Sequence, residues 1–507
     1  MKKKKISLLV VIVLIVALFV SACGDGKDKP QAKDSLVVGL TANPITLDPY
    51  NTTDSPAGKV NKNIHETLVK YDKDMNVVPC LAESWEIVDD TTYVFKLRKG
   101  VKFHNGEELT AADVKFSFDM QKDNAHAESV TGMVDFDNCK VIDTYTFEMK
   151  MKEPFGSILQ HLTQAVTSIV HEKTYTEAGK DYSTNPVGTG PYKLVEWKQD
   201  DFVKLTRNDD YWGDKAKIKE LVFRVIPESS TRAIEVESGG IDIATKVAPS
   251  EVSRLEKAES VVVNMQPSFT TQFIGLNMNN ELLQNMKLRQ AINFGIDKEA
   301  ILKLAFQNIG VIASAPMSPG HWGYHDALPP FTHDVDKAKT LLAEAGYADG
   351  ITLTITTDED QVRRDIAEMV LSQLGEVGIT VEIKTLERGA FIDAVIKGTL
   401  EMFVLGWSDF GTPDYGLAII NPALKGAGGN MAFYDNAEVE ELLKKAQAST
   451  DDAERMKMYK KAQEISWNES PYVFLQHDTE VTVYSKNLKG FNINAGGDSD
   501  YAAMFFE

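Results

Sequence analysis

The sequence predicts a mixed α/β fold of more than one lobe, and three observations lead to this prediction. Short runs typical of β-strands, at residues 35–40, 92–97 and 146–151, alternate with longer stretches of helical periodicity. The chain has 507 residues, well beyond the roughly 250 to 300 that one hydrophobic core usually serves. Because 43% of the residues are apolar, each lobe has enough apolar side chains to bury a core of its own.

A β-α-β unit is clearest in the second half of the chain. Apolar side chains recur along one face of residues 362–377, as in an amphipathic helix, and Gly378 is suited to ending that helix. Strand-like runs at residues 351–357 and 379–386 flank it. Two strands joined by a crossover helix are expected to pair in parallel.

A pair of helices is predicted at residues 436–448 and 451–467. Asp451 is a favourable N-cap for the second helix, and Glu454 three residues later completes the pattern of a capping box. Pro471 then ends the helical region, after which extended structure resumes.

The N-terminus has the pattern of a secretory signal. Four lysines at residues 2–5 precede an apolar run at residues 6–20, which is too short for a membrane-spanning helix. The motif VSAC at residues 20–23 resembles a bacterial lipobox, which predicts cleavage before Cys23 and lipidation of its thiol; two acyl chains anchor a protein stably. The alternative is an ordinary secreted protein in which Cys23 is incidental. Residues 24–34 are polar and flexible, as expected of a tether.

Composition restricts the classes of partner. The chain carries 54 basic and 74 acidic residues, a formal net charge of −20, and removal of residues 1–22 takes this charge to about −24. Such a protein is repelled by nucleic acid. Only Cys80 and Cys139 remain as thiols after processing, and the sequence leaves open whether they form a disulfide.

Seven segments share their sequence pattern and their order with one protein family. They are ITLDPYNTTD at residues 45–54, the block from ETLVKYD to KFSFD at 66–119, VGTGPYKLVEW at 187–197, NDDYWG at 208–213, KLRQAINFGIDKEAI at 287–301, DKAKTLLAEAGYADG at 336–350 and GWSDFGTPD at 406–414. In these segments the chain resembles the extracytoplasmic solute-binding proteins, family 5, of peptide and nickel ABC importers, and most of all their oligopeptide- and dipeptide-binding branch. One such segment is a weak indication, whereas seven in the same order are a strong one.

The resemblance implies a bilobed, periplasmic-binding-protein-like fold of type II (cluster C) with an extra subdomain and a ligand cleft between the lobes. The implied segments are a signal peptide at residues 1–22, a lipidated cysteine and tether at 23–34, lobe I from 35–65, 187–270 and 480–507, the extra subdomain of lobe I at 66–186, and lobe II at 271–479. The lobes are expected to close on the ligand by a hinge, a common form of domain closure.

The same resemblance implies that the protein is the substrate-binding component of an ABC importer. It is expected to capture oligopeptides outside the cytoplasm, as a monomer held to the cell membrane through Cys23, and to deliver them to the permease and ATPase subunits. No cofactor and no metal are implied. The sequence has no phosphate loop of the G-x-x-x-x-G-K-[ST] type, no H-E-x-x-H and no G-x-S-x-G, so an enzyme is not expected.

The candidate ligand site is the loop after the apolar run at residues 402–405. Open α/β sheets bind ligands at the ends of their strands, and Trp407 and Asp409 stand at such an end. In the peptide-binding branch of the family, an aspartate of this loop pairs with the ligand's terminal ammonium and a tryptophan lines the cleft. Asp409 is the favoured aspartate and Asp414 is the alternative. Each also fits a structural role in a turn that contains Gly and Pro.

A carboxylate at this place has a physical reason. The α-ammonium of a peptide has an ordinary pKa of about 7.7 to 8, so the group is largely charged at neutral pH. Enclosing that charge in a closed cleft without a partner costs several kcal/mol, which one buried aspartate offsets.

Residues 267–280 are expected to mark the first crossing between the lobes. Ser268, Phe269, Thr270 and Thr271 form an extended run, and in one interpretation their backbone groups pair with a bound peptide as an added strand. Backbone pairing is indifferent to side chains, so such a site tolerates many peptide sequences. The other interpretation is a plain hinge strand.

Further candidates lie in three other places. Asn43 and Thr46 belong to the first loop, which approaches the ligand in related proteins, and Asn430 follows a glycine-rich turn. Arg363 and Arg364 are able to form a bidentate fork to a peptide carboxylate, although their position within a helix is more typical of a solvated face.

Alternatives remain open for the ligand and for the class of protein. Nickel or metal-chelate binding is less favoured because no histidine occurs between His333 and His477, so a histidine ligand at residues 406–414 must come from elsewhere in the chain. Sugars, opines and glutathione are further alternatives, since relatives share a scaffold and differ in cleft lining. An extracytoplasmic hydrolase with paired carboxylates is the alternative of another class.

Overall fold

The computed structural model describes residues 33–51, 54–409 and 411–507. The predicted signal peptide, Cys23 and the tether up to residue 32 lie outside the described residues. Within the described ranges, no helix has the length and apolar character needed to cross a bilayer. The fold is mixed α/β, as predicted.

The strands of the described residues are numbered in chain order. They are β1 (Ser35–Leu40), β2 (Val69–Tyr71), β3 (Val77–Pro79), β4 (Ala82–Asp89), β5 (Thr92–Leu97), β6 (Lys140–Asp143), β7 (Thr146–Lys150), β8 (Tyr192–Lys198), β9 (Phe202–Arg207), β10 (Glu220–Val225), β11 (Ile243–Ala244), β12 (Val261–Leu276), β13 (Val311–Ile312), β14 (Ile351–Thr357), β15 (Ile379–Thr385), β16 (Met402–Ser408), β17 (Tyr472–Ser485), β18 (Leu488–Lys489) and β19 (Phe505–Phe506).

The α-helices of the described residues are numbered in the same way. They are α1 (Ser55–Ile64), α2 (Ala111–Asp119), α3 (Glu128–Thr131), α4 (Ile158–His161), α5 (Glu172–Ala178), α6 (Ser229–Ser238), α7 (Pro249–Leu255), α8 (Met286–Gly295), α9 (Lys298–Leu304), α10 (Val335–Glu344), α11 (Gln361–Val377), α12 (Arg388–Ile396), α13 (Pro413–Gly416), α14 (Ala437–Ala448) and α15 (Asp452–Glu469).

The largest sheet joins lobe I to lobe II through two long strands. Its order is β15-β14-β16-β12-β17-β11-β1-β10-β9-β8, with β13 added to β17. β12 and β17 pair with each other in both lobes, and a register shift between Pro267 and Thr271 separates the two halves of the pair. β12 therefore runs as one strand through the region in which the sequence predicts the first crossing between the lobes.

Lobe I is built around β1. This strand pairs in parallel with β10 and β11, and β10, β9 and β8 continue the sheet in antiparallel order. Buried side chains such as Leu36, Val38 and Phe223 form its core together with Tyr192. The first loop begins directly after β1, at the carboxyl end of this parallel part of the sheet.

Lobe II contains the predicted β-α-β unit. β14 and β15 pair in parallel, and α11 lies between them in the chain. Gly378 ends α11 in a left-handed conformation with a φ of 106°, which glycine adopts without a Cβ clash. Ile366, Val370 and Leu374 are buried in the core of lobe II. The predicted helix, its end and the parallel pairing are confirmed.

The predicted helical pair is also confirmed, as α14 and α15. The Asp451 carboxylate accepts from the backbone N–H groups of Ala453 and Glu454 at 2.9 and 3.1 Å, which makes it the N-cap of α15. The backbone N–H of Asp451 donates to Ser449 Oγ at 3.1 Å, and the Glu454 carboxylate contacts Lys457 at 2.8 Å. The capping box is therefore formed only in its Asp451 half.

The subdomain has a sheet and a core of its own. Its strands follow the antiparallel order β4-β5-β7-β6, and its core includes Phe95, Phe118 and Phe147. Cys80 and Cys139 are separate buried thiols in this structure. The predicted boundaries of the subdomain and the lobes stay predictions.

Candidate ligand-binding site

The end of β16 positions Asp409. The last residue of the strand, Ser408, pairs with Thr270 of β12, and the backbone N–H of Asp409 donates to the Phe269 carbonyl at 3.3 Å. The Asp409 side chain is 2% exposed. Its carboxylate therefore lies inside the protein, beside the register shift at which β12 crosses between the lobes.

His321 is the main side-chain partner of Asp409. Its Nε2 lies 2.7 Å from Oδ1 and 2.8 Å from Oδ2, and the backbone N–H of Gly411 donates to Oδ1 at 2.6 Å. The ring of Phe269 packs on the imidazole with centroids 4.4 Å apart. A Cβ on Gly416 would lie 3.2 Å from Oδ2, so the backbone of α13 also approaches the carboxylate closely.

The hydrogen bonds place a proton on Nε2 of His321. In the neutral ring, Nδ1 accepts from the backbone N–H of Ser318 at 3.1 Å. In the imidazolium, Nδ1 carries a proton and faces the Ser318 carbonyl at 3.2 Å. In the other neutral tautomer, Nε2 carries no proton and faces two carboxylate oxygens, so this tautomer is disfavoured. In both favourable states, Nε2 donates to Asp409.

Trp407 is held beside Asp409 by its indole N–H, which donates to the carbonyl of Tyr415 at 2.9 Å. The two rings stack with centroids 5.2 Å apart. Trp407 is half-buried, and the outer edge of its indole approaches Gly429. The stack therefore gives the loop of Asp409 an aromatic surface.

Asp414 has a different environment. The Tyr459 hydroxyl donates to its Oδ1 at 2.7 Å, and the hydroxyl of Ser157 donates to its Oδ2. Ser157 belongs to the subdomain and also accepts a hydrogen bond from Arg455. Asp414 thus joins lobe II to the subdomain, a structural role that differs from the role within its own turn that the sequence suggested.

The run of residues 268–271 lies in β12 at the register shift. The Thr270 and Ser408 hydroxyl groups bond at 2.7 Å. Thr271 is buried, pairs with β16 on one side and β17 on the other, and its hydroxyl lies 2.9 Å from Nδ1 of His477. β12 and β17 therefore lose register between Pro267 and Thr271 and again between Gln272 and Phe273, whereas β12 pairs with β16 without a shift from Thr270 to Leu276.

The remaining predicted site residues bond within their own loops or, for Asn43, to the loop of Asp200. Asn43 Oδ1 accepts from the backbone N–H of Asp200 at 3.2 Å, and Thr46 Oγ1 accepts from a backbone N–H two residues further on at 3.0 Å. Asn430 is fully buried and bonds to carbonyl groups of its own turn. Among the described contacts, none joins these three residues to Asp409.

Tyr71 and Met75 of the subdomain face the loop of Asp409, and sequence reasoning missed both. Burial, together with the charge of Asp409, raises the pKa of Tyr71. The Tyr71 hydroxyl is buried, and the nearby Thr163 side chain lowers the same pKa. A Cβ on Gly411 would lie 3.2 Å from Cε of Met75. No local pattern predicts these contacts, because they join distant segments of the chain.

The metal alternative requires histidine or carboxylate donors near the tryptophan loop. Within the described residues, no group of three or more His, Cys, Asp or Glu side chains is placed to hold an ion. His321 and Asp409 are two suitable donors in contact, and the histidine does come from outside the tryptophan loop. Two donors are fewer than a protein metal site normally uses.

Fold and site together define a two-lobed solute-binding protein, in which long paired strands connect the lobes and a buried carboxylate lies at their crossing. A model of the bacterial extracellular solute-binding proteins, family 5 (middle region), matches residues 76–426. The chain belongs to this family.

Three known proteins show the extent of the similarity. The chain is 32% identical over 499 residues to the glutathione-binding protein GsiB of Shigella dysenteriae, and the aligned region covers 95% of each chain. The structure of HbpA2 from Haemophilus parasuis has a TM-score of 0.88 and 27% identity, over 93% of this chain and 100% of that one. The ABC transporter-associated periplasmic binding protein DppA from Helicobacter pylori, solved with the peptide STSA, has a TM-score of 0.74 and 30% identity, over 94% of this chain and 99% of that one.

Family membership confirms several predictions. The protein is the substrate-binding protein of a family 5 ABC importer, and it delivers its ligand to a membrane permease. It is extracytoplasmic, and it is a binding protein rather than an enzyme. The type II periplasmic-binding-protein fold is confirmed by the solved structures that it resembles.

Proposed function

We propose that the protein captures short peptides by holding the ligand's α-ammonium against the carboxylate of Asp409, and passes them to its permease. One observation carries the proposal: a 2% exposed carboxylate at the end of β16 whose partners in the described structure are a histidine and a backbone N–H. No lysine or arginine of the described residues neutralises it. When the His321 ring is neutral, the charge of Asp409 is available to a cationic ligand.

The electrostatics of the site favour an ammonium. Moving that group from water into a closed cleft costs several kcal/mol unless a counter-charge meets it there. A hydrogen bond between an ionised donor and an ionised acceptor is roughly twice as strong as a neutral one. The Trp407–Tyr415 stack and the Tyr71 hydroxyl offer apolar and polar contacts to the rest of the ligand.

Glutathione is a second candidate ligand, because the chain is 32% identical to a glutathione-binding protein over 95% of its own length. Glutathione is a tripeptide with an α-ammonium, so Asp409 serves as the same anchor. It differs from an ordinary peptide in its γ-linked glutamate, which places a carboxylate next to the ammonium.

We infer in addition that the mature protein is a monomer, tethered to the outer face of the cell membrane by lipid on Cys23. The lipobox-like VSAC at residues 20–23 and the polar segment up to residue 34 support this anchor. Lobe I and lobe II, with the residue ranges given above, close on the ligand by bending β12 and β17 at the register shift near Pro267.

Native mass spectrometry of the purified protein tests the ligand class. A heterogeneous series of co-purified masses of several hundred daltons supports peptides, and one adduct with the mass of glutathione supports the second candidate. An adduct with the mass of a nickel ion, or of a whole number of hexoses, contradicts both.

Calorimetry with Asp409→Ala tests the anchor. We expect the variant to bind a free-amine peptide more weakly by about 2 to 5 kcal/mol and to show little change for the N-acetylated peptide. Asp414→Ala is the matched control, and its ratio of free-amine to acetylated affinity should equal that of the wild type. Equal weakening of both ligands by Asp409→Ala contradicts the proposed anchor.

Cys23→Ser tests the tether. The wild-type protein should sediment with membranes and carry an acyl mass on residue 23, whereas the variant should be released in soluble form. A wild-type protein without acyl mass contradicts the lipid anchor and leaves the ligand proposal unaffected.

A further inference from the structure

We propose that His321 is a specificity-determining residue, which occupies the edge of the Asp409 carboxylate that a guanidinium needs and so restricts the site to a compact ammonium. The inference rests on the proposed role of Asp409 as the ammonium anchor. It adds the chemical class of cation that this anchor accepts.

The acceptor positions of Asp409 are nearly filled. A carboxylate offers about four lone-pair positions. The Gly411 N–H at 2.6 Å and His321 Nε2 at 2.7 Å take the two on Oδ1, and the same Nε2, at 2.8 Å, takes one on Oδ2. Because Nε2 is almost equidistant from both oxygens, it lies on the edge between them. One position on Oδ2 stays open in the described structure.

Ammonium and guanidinium groups use a carboxylate differently. A guanidinium binds it best through two parallel N–H groups, one to each oxygen, and this fork needs the edge between the oxygens. The imidazole of His321 fills that edge. An ammonium needs only the open position on Oδ2 and keeps two N–H groups for other acceptors. Because the two cations carry equal charge, the expected difference in their affinity for Asp409 comes from their shape.

The imidazole is held firmly in this place. Its side chain is 0% exposed, its Nδ1 bonds to Ser318, and the Phe269 ring packs on it at 4.4 Å. A Cβ on Gly416 would lie 3.3 Å from Nε2, so the backbone of α13 packs closely beside the contact between the imidazole and Asp409. Displacing the ring would leave a buried nitrogen without a hydrogen-bond partner, which is unfavourable.

Two substitutions test whether a hydrogen-bond donor must reach the position of His321 Nε2. His321→Gln brings an amide nitrogen close to the position of Nε2, so a donor still covers the carboxylate edge. His321→Asn is shorter, reaches only the position of Nδ1 and leaves the edge open.

The test compares three forms of one peptide: the free α-amine, the N-amidinated form, whose end is a guanidinium, and the N-acetylated form. We expect the wild type to bind the amine at least about tenfold more tightly than the guanidinium form. His321→Gln should keep this ratio, and His321→Asn should reduce it to less than about threefold. A general loss of structure would weaken the binding of all three peptide forms alike, and His321→Gln would not restore it.

The outcomes separate this proposal from the proposed function. A wild-type ratio of amine to guanidinium near one overturns the role of His321 without any variant. An unchanged ratio of amine to guanidinium affinity in His321→Asn also overturns the role of His321. In that case, if Asp409→Ala loses the preference for the free amine over the acetylated peptide, the proposed function still stands. If Asp409→Ala keeps that preference, the proposed anchor fails first and the role of His321 fails with it.

Discussion

The hydroxyl of Tyr459 donates a 2.7 Å hydrogen bond to Oδ1 of Asp414, whose other oxygen accepts from Ser157 of the subdomain. Arg455, 1% exposed, donates to the same serine, and its guanidinium lies 4.8 Å from the ring of Trp322. The network is buried between two parts of the chain. It explains why two aspartates five positions apart in one loop have different roles.

Asp414→Asn is expected to weaken this network and leave ligand selectivity unchanged. The amide keeps an acceptor for one hydroxyl and loses the negative charge. Burial lowers the pKa of Arg455, whereas Tyr459 and Asp414 raise it, so the variant loses one of the groups that stabilise the buried guanidinium. The free energy of unfolding should therefore fall by about 1 to 3 kcal/mol. Denaturant unfolding measures the loss. Asp435→Asn is the control, since this side chain is 72% exposed in a surface pair with Lys425 and should change stability by less than about 0.5 kcal/mol. An altered ratio of free-amine to acetylated affinity in Asp414→Asn would show that Asp414, rather than Asp409, is the anchor of the ligand's ammonium.

Glu66 is expected to be essential for attaching the subdomain to lobe I. Its buried carboxylate accepts from the Thr189 hydroxyl at 2.7 Å, the Tyr211 hydroxyl at 2.7 Å and the Trp212 indole at 2.9 Å. Glu66→Ala orphans three donors and should cost about 3 to 5 kcal/mol of unfolding free energy.

Glu66→Gln keeps one oxygen in place, so its loss should be smaller than that of Glu66→Ala. Urea unfolding and limited proteolysis of residues 66–186 compare the two variants. Equal stability of the wild type and Glu66→Ala would show that the subdomain is attached by its apolar contacts alone.

The contribution of Asp478 to the free energy of unfolding is expected to depend on pH. Burial raises its pKa to about 6, although Gln272 donates to it at 2.9 Å. An unfolded aspartate ionises near pH 3.9. Between about pH 4 and pH 6 the native protein therefore binds a proton that the unfolded chain does not, and stability is lost as the pH rises through this window.

Asp478→Asn removes this ionisation. The difference in unfolding free energy between Asp478→Asn and the wild type should shift in favour of the variant by on the order of 2 kcal/mol from pH 4 to pH 7. The Gln476 amide can turn to accept from the new amide, because its own oxygen has no hydrogen-bond partner among the described residues. Unfolding curves at both pH values measure the shift, with Asp435→Asn as the reference. A difference that is constant with pH would contradict the raised pKa.

Cys80 and Cys139 are expected to be unreactive thiols. Both are buried, and burial raises the pKa of Cys80 and raises that of Cys139 to about 11, so neither forms a thiolate at neutral pH. In the Cys23→Ser protein without reductant, iodoacetamide should label almost nothing in the native state and two thiols in urea. Failure to label the unfolded chain before reduction would reveal a disulfide.

Local patterns were sufficient for much of the fold. The strands at residues 35–40 and 92–97 agree with prediction at both ends, and α11 ends at the predicted Gly378. Helix periodicity, strand alternation and glycine caps act between residues that are neighbours in the chain, so they are visible in its order. The sequence predicted a strand only at residues 402–405, whereas β16 extends to Ser408, so Trp407 belongs to the strand and Asp409 follows it directly.

The sequence by itself determined the mixed α/β class, the family and the loop that carries the candidate anchor. Only the tertiary structure decided that Asp409 is paired with His321 and that Asp414 is used between lobe II and the subdomain. These partners lie 88 and 257 residues apart in the chain. A hydrogen bond between buried side chains depends on their distance in space, and segments so far apart leave no periodic pattern from which that distance can be predicted.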